Sequence, residues 1–109
     1  IPFPIKRVYY LNNMKPDLPR GFHAHKELEQ VAVCVAGKCH MLLDDGINKE
    51  KVLLNSPHKA IRIEPMVWHE MHDVSEDCVL LVLASVQYDE NDYIRNYEAF
   101  LDVAKHESI

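Results

Sequence analysis

Arg20-Gly21-Phe22-His23-Ala24-His25, followed by Glu29 and Gly37, is the stretch on which the reading of this chain turns. Side chains alternate across an extended strand, so histidines two residues apart direct both rings to the same face. In the run that follows, Val31, Val33 and Val35 share one face, and Ala32, Cys34 and Ala36 share the other. Gly37-Lys38 then reads as a two-residue hairpin turn. Two imidazoles converging inside a small β domain make either a metal site or a metal-free acid–base site.

Outward from this stretch, the chain reads as a series of short strands. They are expected at residues 5–11, 21–25, 28–35, 39–43, 50–54, 60–63, 67–72 and 78–84, with turn signals such as Asp44-Asp45-Gly46 and Asn55-Ser56-Pro57 between them. That pattern points to a sandwich or jelly-roll barrel, an all-β fold in one domain over residues 1–109. The end changes period. Ile94, Tyr97, Leu101 and Ala104 recur at helical spacing, which predicts one amphipathic helix from Asp92 to about Lys105, capped by Asp89 or Asn91.

With 109 residues and a formal charge of −5, the chain carries no long Lys/Arg run, which argues against nucleic acid or an anionic membrane as its partner. Its longest apolar runs are too short to cross a bilayer, and the start shows no secretory signal. A first residue that is not Met suggests that leading residues are absent. Cys34, Cys39 and Cys78, odd in number and set in apolar runs, read as reduced core thiols of a cytoplasmic protein.

The candidate chemistry gathers around the histidines. A neutral imidazole takes and returns a proton near physiological pH. Tyr9 can donate a hydrogen bond to an oxyanion, and by alternation Tyr10 points the other way. Arg7 and Arg20 can bind phosphate or stabilise negative charge, and Trp68 is a possible wall for a sugar or base ring. The His-x-His-x3-Glu spacing and its following glycine resemble the first motif of the cupin superfamily, small double-stranded β-helix barrels, although Asp17 stands where its leading glycine belongs. In metal-binding cupins a Pro-x-Gly-x-x-His pattern completes the site. Here Pro65-Met66-Val67-Trp68-His69 lacks the glycine and brings the histidine one residue early. A one-residue slip sends a side chain to the other face, so the expectation is a broken metal site.

Longer segments carry a closer resemblance. Ile5 to Tyr10, Pro19 to Lys26, Leu43 to Gly46, Val67 to Met71, Val82 to Ser85 and Tyr88 to Tyr97 are similar to the WxcM-like sugar 3,4-ketoisomerases. The resemblance implies a cupin jelly-roll barrel with one C-terminal α-helix. It also implies a metal-free, cofactor-free isomerase that moves the ketone of dTDP-4-keto-6-deoxy-D-glucose from C4 to C3, and a homodimer with N-terminal strand exchange. On that basis His23 is the base, His25 its orienting or shuttling partner, and Tyr9 the donor to the enediolate. Arg7, Arg20, Trp68 and His69 would bind substrate. The residues alone leave open a dTDP-sugar epimerase, a metal-dependent cupin dioxygenase and a non-catalytic sugar-nucleotide-binding cupin.

Overall fold

The computed structural model describes residues 2–15 and 18–107. Two antiparallel sheets face one another. The first contains β1 (Arg7–Leu11), β8 (Val79–Ala84), β3 (Gln30–Ala36) and β6 (Ala60–Ile63), side by side in that order. Its partner contains β5 (Lys49–Leu54), β4 (Cys39–Asp44), β7 (Trp68–His72), β2 (Arg20–His25) and the two-residue β9 (Tyr93–Ile94). All eight strands read from the sequence are present, with ends shifted by at most two residues.

Two-sided alternation explains why these segments are strands. On β3, Gln30, Ala32 and Cys34 face inward and are buried. Ala32 and Cys34 pack in one cluster with Leu80 and Val82 of β8 and, across the sandwich, Met41 of β4 and Met71 of β7. Apolar side chains from both inner faces thus fill one continuous core. The three cysteines close one end of it as free, buried thiols, with Cys34 Sγ 3.7 Å from Cys78 Sγ.

The Gly37-Lys38 turn is not a hairpin. β3 pairs with β6 and β8, whereas β4 pairs with β5 and β7, so the turn carries the chain from one sheet to the other. Gly37 is in the left-handed region at φ 68°. A Cβ there would lie 2.8 Å from the Cys78 Cα and 2.4 Å from Ser75 Oγ, so close backbone packing as well as conformation requires glycine.

The C-terminal helix starts later than its periodicity suggests. Glu90–Asp92 is a 3₁₀ turn, with the Asp89 carboxylate accepting the Asn91 N–H at 3.0 Å. Tyr93–Ile94 then pairs with β2, and only Tyr97–Glu107 is helical, as α1. Asn96 caps α1, its side-chain oxygen accepting from the Ala99 N–H at 3.0 Å. Sheet pairing overrides the helical pattern at residues 92–94. The apolar side of α1, with Phe100 fully buried, covers Ala24, Ile94 and Trp68 on the outside of the second sheet.

Candidate active site

At the end of the sandwich away from the cysteines, a cavity of about 210 Å³ opens between the sheets. Ala32, Met41, Met71 and Val82 contribute to its apolar floor, and Arg7, Tyr9, Arg20, His23, Gln30, His69, Tyr93 and Arg95 to its polar wall. Among the described residues no carboxylate lines it, although the chain as a whole is acidic.

β2 presents the histidines through an irregular step. Gly21 and Phe22 both have positive φ, 93° and 58°, and the register with β7 shifts between Gly21 and His23. Without a Cβ, Gly21 lets β2 lie close to the His69 carbonyl, 3.0 Å from where that atom would sit. His23 is consequently paired directly with His69.

The two rings meet at 3.1 Å between their Nε2 atoms. His23 Nδ1 lies 3.0 Å from the Gly21 carbonyl and His69 Nδ1 lies 3.2 Å from the Val67 carbonyl. A carbonyl only accepts, so each Nδ1 carries a proton and donates it. Both Nε2 lone pairs are then left facing one another, and a single added proton would be shared between them. Burial lowers the pKa of His23, with the nearby Arg95 charge adding to this and the Gly21 bond opposing it. Burial likewise pushes His69 down to about 3, helped by His23.

His25 lies behind this pair rather than on the cavity wall. It is buried, its ring edge-on to Tyr93 with centroids 4.3 Å apart and 5.0 Å from that of His23. Its Nε2 has no hydrogen-bond partner among the described residues. Burial lowers its pKa to about 3, reinforced by His23, Arg95 and Arg7.

Tyr9 faces the cavity and Tyr10 is 63% exposed on the opposite side of β1. The Tyr9 hydroxyl accepts a 2.6 Å bond from the Gln30 side-chain amide. Its own proton is therefore free to point into the cavity. Burial, and then Tyr93, raise its pKa, so the hydroxyl stays protonated as a donor. The Arg7 guanidinium lies over the Tyr9 ring at 4.3 Å.

The structure separates Trp68 from His69, both of which the resemblance places at the substrate. Trp68 does not line the cavity. It is 2% exposed on the outer face of the second sheet, packed against Tyr97 and Phe100, and its indole N–H donates to Glu70 at 2.7 Å. His69, by contrast, points inward. Met66, at φ 62°, reshapes the turn before β7, and pairing with β2 and β4 rather than the count from Pro65 decides which residues face in. Glu70, which takes the place of the motif's third histidine, faces outward and contacts His72 at 2.7 Å.

His23, His25 and His69 offer ring nitrogens within 4.8 Å of one another, a spacing that fits a divalent cation. The carboxylate of the cupin motif is not with them, because Glu29 pairs with Arg62 on the outside of the first sheet at 2.9 Å. Gln30, Tyr93 and Arg95 were not singled out from the sequence. Gln30 was visible as a polar residue in phase with Ala32 and Cys34, and Tyr93 and Arg95 as an alternating pair hidden inside the supposed helix.

A family model described as FdtA, WxcM-like, C-terminal matches residues 1–105. The chain belongs to this WxcM-like family. It is 58% identical over 100 residues to the TDP-4-oxo-6-deoxy-alpha-D-glucose-3,4-oxoisomerase of Aneurinibacillus thermoaerophilus, covering 92% of this chain and 72% of that protein. Among solved structures it resembles a 3,4-ketoisomerase from Helicobacter canadensis at 50% identity and TM-score 0.94, over 96% of this chain and 79% of that one. It likewise resembles the sugar 3,4-ketoisomerase QdtA from Thermoanaerobacterium thermosaccharolyticum, solved with TDP, at 48% identity and TM-score 0.96. That match covers all of this chain and 80% of QdtA. The WxcM-like fold is thus the jelly-roll barrel observed here, with its single helix at the C-terminus.

Proposed function

We propose that this chain is a sugar 3,4-ketoisomerase acting on TDP-4-keto-6-deoxy-D-glucose. The observation that carries the reading is one cavity holding an uncharged histidine base, a tyrosine donor and three arginines, with no carboxylate among the described residues to repel an anion. A sugar linked to a nucleoside diphosphate presents two negative charges to those arginines and a ketone to the histidine.

The ketone at C4 acidifies the C3 hydrogen. His23 Nε2 takes that proton, and the C3–H electron pair forms the C3=C4 bond while the carbonyl pair moves onto the C4 oxygen. Tyr9 donates to this oxygen, and the proton on His23 is shared with His69 Nε2. Protonation at C4 and loss of the C3 hydroxyl proton then leave the ketone at C3. General acid–base catalysis typically contributes ~10²–10⁴-fold and each preorganised oxyanion donor ~10²–10³-fold. His25 supports His23 from behind, and Arg7 and Arg20 hold the diphosphate.

The deciding experiment is NMR of TDP-4-keto-6-deoxyglucose incubated with the protein in D₂O. A 3-keto product is expected. A ketone that stays at C4 while a neighbouring centre inverts makes the protein an epimerase, and binding without turnover makes it a sugar-nucleotide-binding module.

The three converging imidazoles support one other reading. His23, His25 and His69 would hold a divalent cation, which would supply Lewis acidity toward a ketone oxygen. Metal analysis separates the two. Stoichiometric metal, with activity lost on chelation, replaces the acid–base reading.

We also propose a homodimer, with N-terminal strand exchange as the family resemblance implies. In support, β1 is an edge strand, and Val8, Tyr10 and Val35 are exposed on the outer face of its sheet. Light scattering tests this, and a monomer at micromolar concentration refutes it. No helix among the described residues is long and apolar enough to cross a membrane. The three free thiols support a cytoplasmic location.

A further inference from the structure

Gln30 breaks the apolar pattern on the inward face of β3. It is in phase with Ala32 and Cys34 and only 2% exposed. A buried amide costs free energy unless it is hydrogen-bonded, so a residue placed here for packing alone would be apolar. Its partner is the Tyr9 hydroxyl, which accepts from Nε2 at 2.6 Å.

Strand pairing alone does not create this contact, because β8 runs between β1 and β3. On β8, Ala84 is paired with Arg7 on one side and Gln30 on the other, whereas Tyr9 is paired with Val82. The Gln30 side chain therefore crosses β8 diagonally to reach Tyr9. Ala84, fully buried and carrying a single methyl group, leaves room for that crossing. The start of β3 is also held firmly. Gln30 pairs with Ile63 of β6, and the Glu29 N–H donates to Ser85 Oγ at 2.9 Å while the Glu29 carbonyl accepts the Ser85 N–H at 3.0 Å.

The direction of the Gln30 bond decides where the Tyr9 proton goes. An amide N–H only donates, and a hydroxyl that accepts on one side turns its own proton to the other. The donated N–H also draws charge from the phenolic oxygen, and hydrogen bonds in a chain strengthen one another. Burial, and then Tyr93, raise the pKa of Tyr9, and Arg7 and the Gln30 bond oppose that rise.

Resting on the 3,4-ketoisomerase reading, we propose that Gln30 is a positioning residue whose amide aims the Tyr9 proton at the enediolate oxygen and strengthens that donor as charge develops. Gln30 acts through Tyr9 and in the transition state, so its removal is read in kcat rather than in KM.

The test is steady-state kinetics of the intact protein with TDP-4-keto-6-deoxyglucose, with thermal denaturation to verify folding. Gln30→Met, close in volume, should lower kcat about 2- to 10-fold, the loss for one hydrogen bond between neutral groups, with KM unchanged. Gln30→Asn keeps an amide one methylene short of Tyr9 and should lose as much, which carries the test if the thioether does not fit the core. Gln30→Glu presents an acceptor in place of the donor and turns the Tyr9 proton away from the substrate. Its kcat should fall as far as that of Tyr9→Phe. In a Tyr9→Phe background, Gln30→Met should change kcat by less than about twofold, because the hydroxyl through which Gln30 acts is gone. Penalties that multiply in the double variant mean a merely structural role and overturn the proposal. Wild-type kcat in folded Gln30→Met or Gln30→Glu overturns it too, as does an effect confined to KM. A wild-type protein that does not isomerise the sugar overturns the functional reading on which it rests.

Discussion

Replacing His69 with Asn tests the shared-proton geometry most directly. The shorter side chain withdraws the acceptor that faces His23 Nε2 at 3.1 Å. Because burial holds His69 near 3, its Nε2 is unprotonated at neutral pH and ready to accept. The bond it forms to His23 becomes charge-assisted only after His23 has taken the substrate proton. Such a bond is worth about 1.5–3 kcal/mol, and at about 1.4 kcal/mol per tenfold in rate the loss lowers kcat roughly 10- to 150-fold. KM should change little, since the interaction is made in the transition state and not in the ground state. His69→Gln keeps an amide oxygen as acceptor and should lose less. The assay is NMR-followed turnover, with thermal denaturation to verify folding. A folded His69→Asn protein with kcat within about twofold of wild type refutes the argument.

Four other outcomes follow from the fold and the site. Tyr9→Phe should reduce kcat by an amount corresponding to about 1.5–3 kcal/mol for one hydrogen bond to an oxyanion, whereas Tyr10→Phe should leave the kinetics unchanged; equal effects would mean that β1 is turned over. Trp68→Leu should lower stability by on the order of 2–3 kcal/mol through lost packing on α1, read as a fall in Tm, with KM unaltered; a raised KM would return Trp68 to the substrate. Burial lowers the pKa of His23 and holds His25 and His69 at about 3, so the base form survives acidification and the acid limb of kcat/KM should lie below about 6.5. The same shifts govern stability. The unfolded chain binds protons from about pH 6.5 downward that folded His25 and His69 refuse until about 3, so Tm should fall as the pH drops through that window. A Tm independent of pH between 7 and 4 contradicts the burial.

The strands were legible because each has one face in the core and one outside, which writes a period of two into the sequence. The histidine pair, Tyr9 and Arg7 fit that alternation, whereas Arg20, of opposite parity to His23, reaches the cavity through the irregular step at Gly21 and Phe22. What was not legible depends on partners distant in the chain. Residues 92–94 have helical spacing but are claimed by β2, and Asp92 is spent on the Glu27 and Leu28 amides. Gly37-Lys38 looks like a hairpin because turn chemistry is local, while the sheets that β3 and β4 join are not. Trp68 and His69 exchange the faces that motif counting assigns them, since pairing with His23 sets the phase of β7. Arg95 was overlooked because its significance lies in meeting Tyr93 and Glu90 beside a cavity built mainly from earlier strands.

The late position of β9 has a consequence for synthesis. β2 pairs with a strand about seventy residues later in the chain, which ends at Ile94. A chain emerging N-terminus first therefore carries β2 with one side unpaired until Tyr93 and Ile94 have left the ribosome. During that interval the unpaired amides of β2 are open to another nascent chain, a hazard common to exposed strand edges. Fastening by Asp92 and covering by α1 come only after β1 to β8 have been made, so this wall of the cavity and the protection of its edge are completed together.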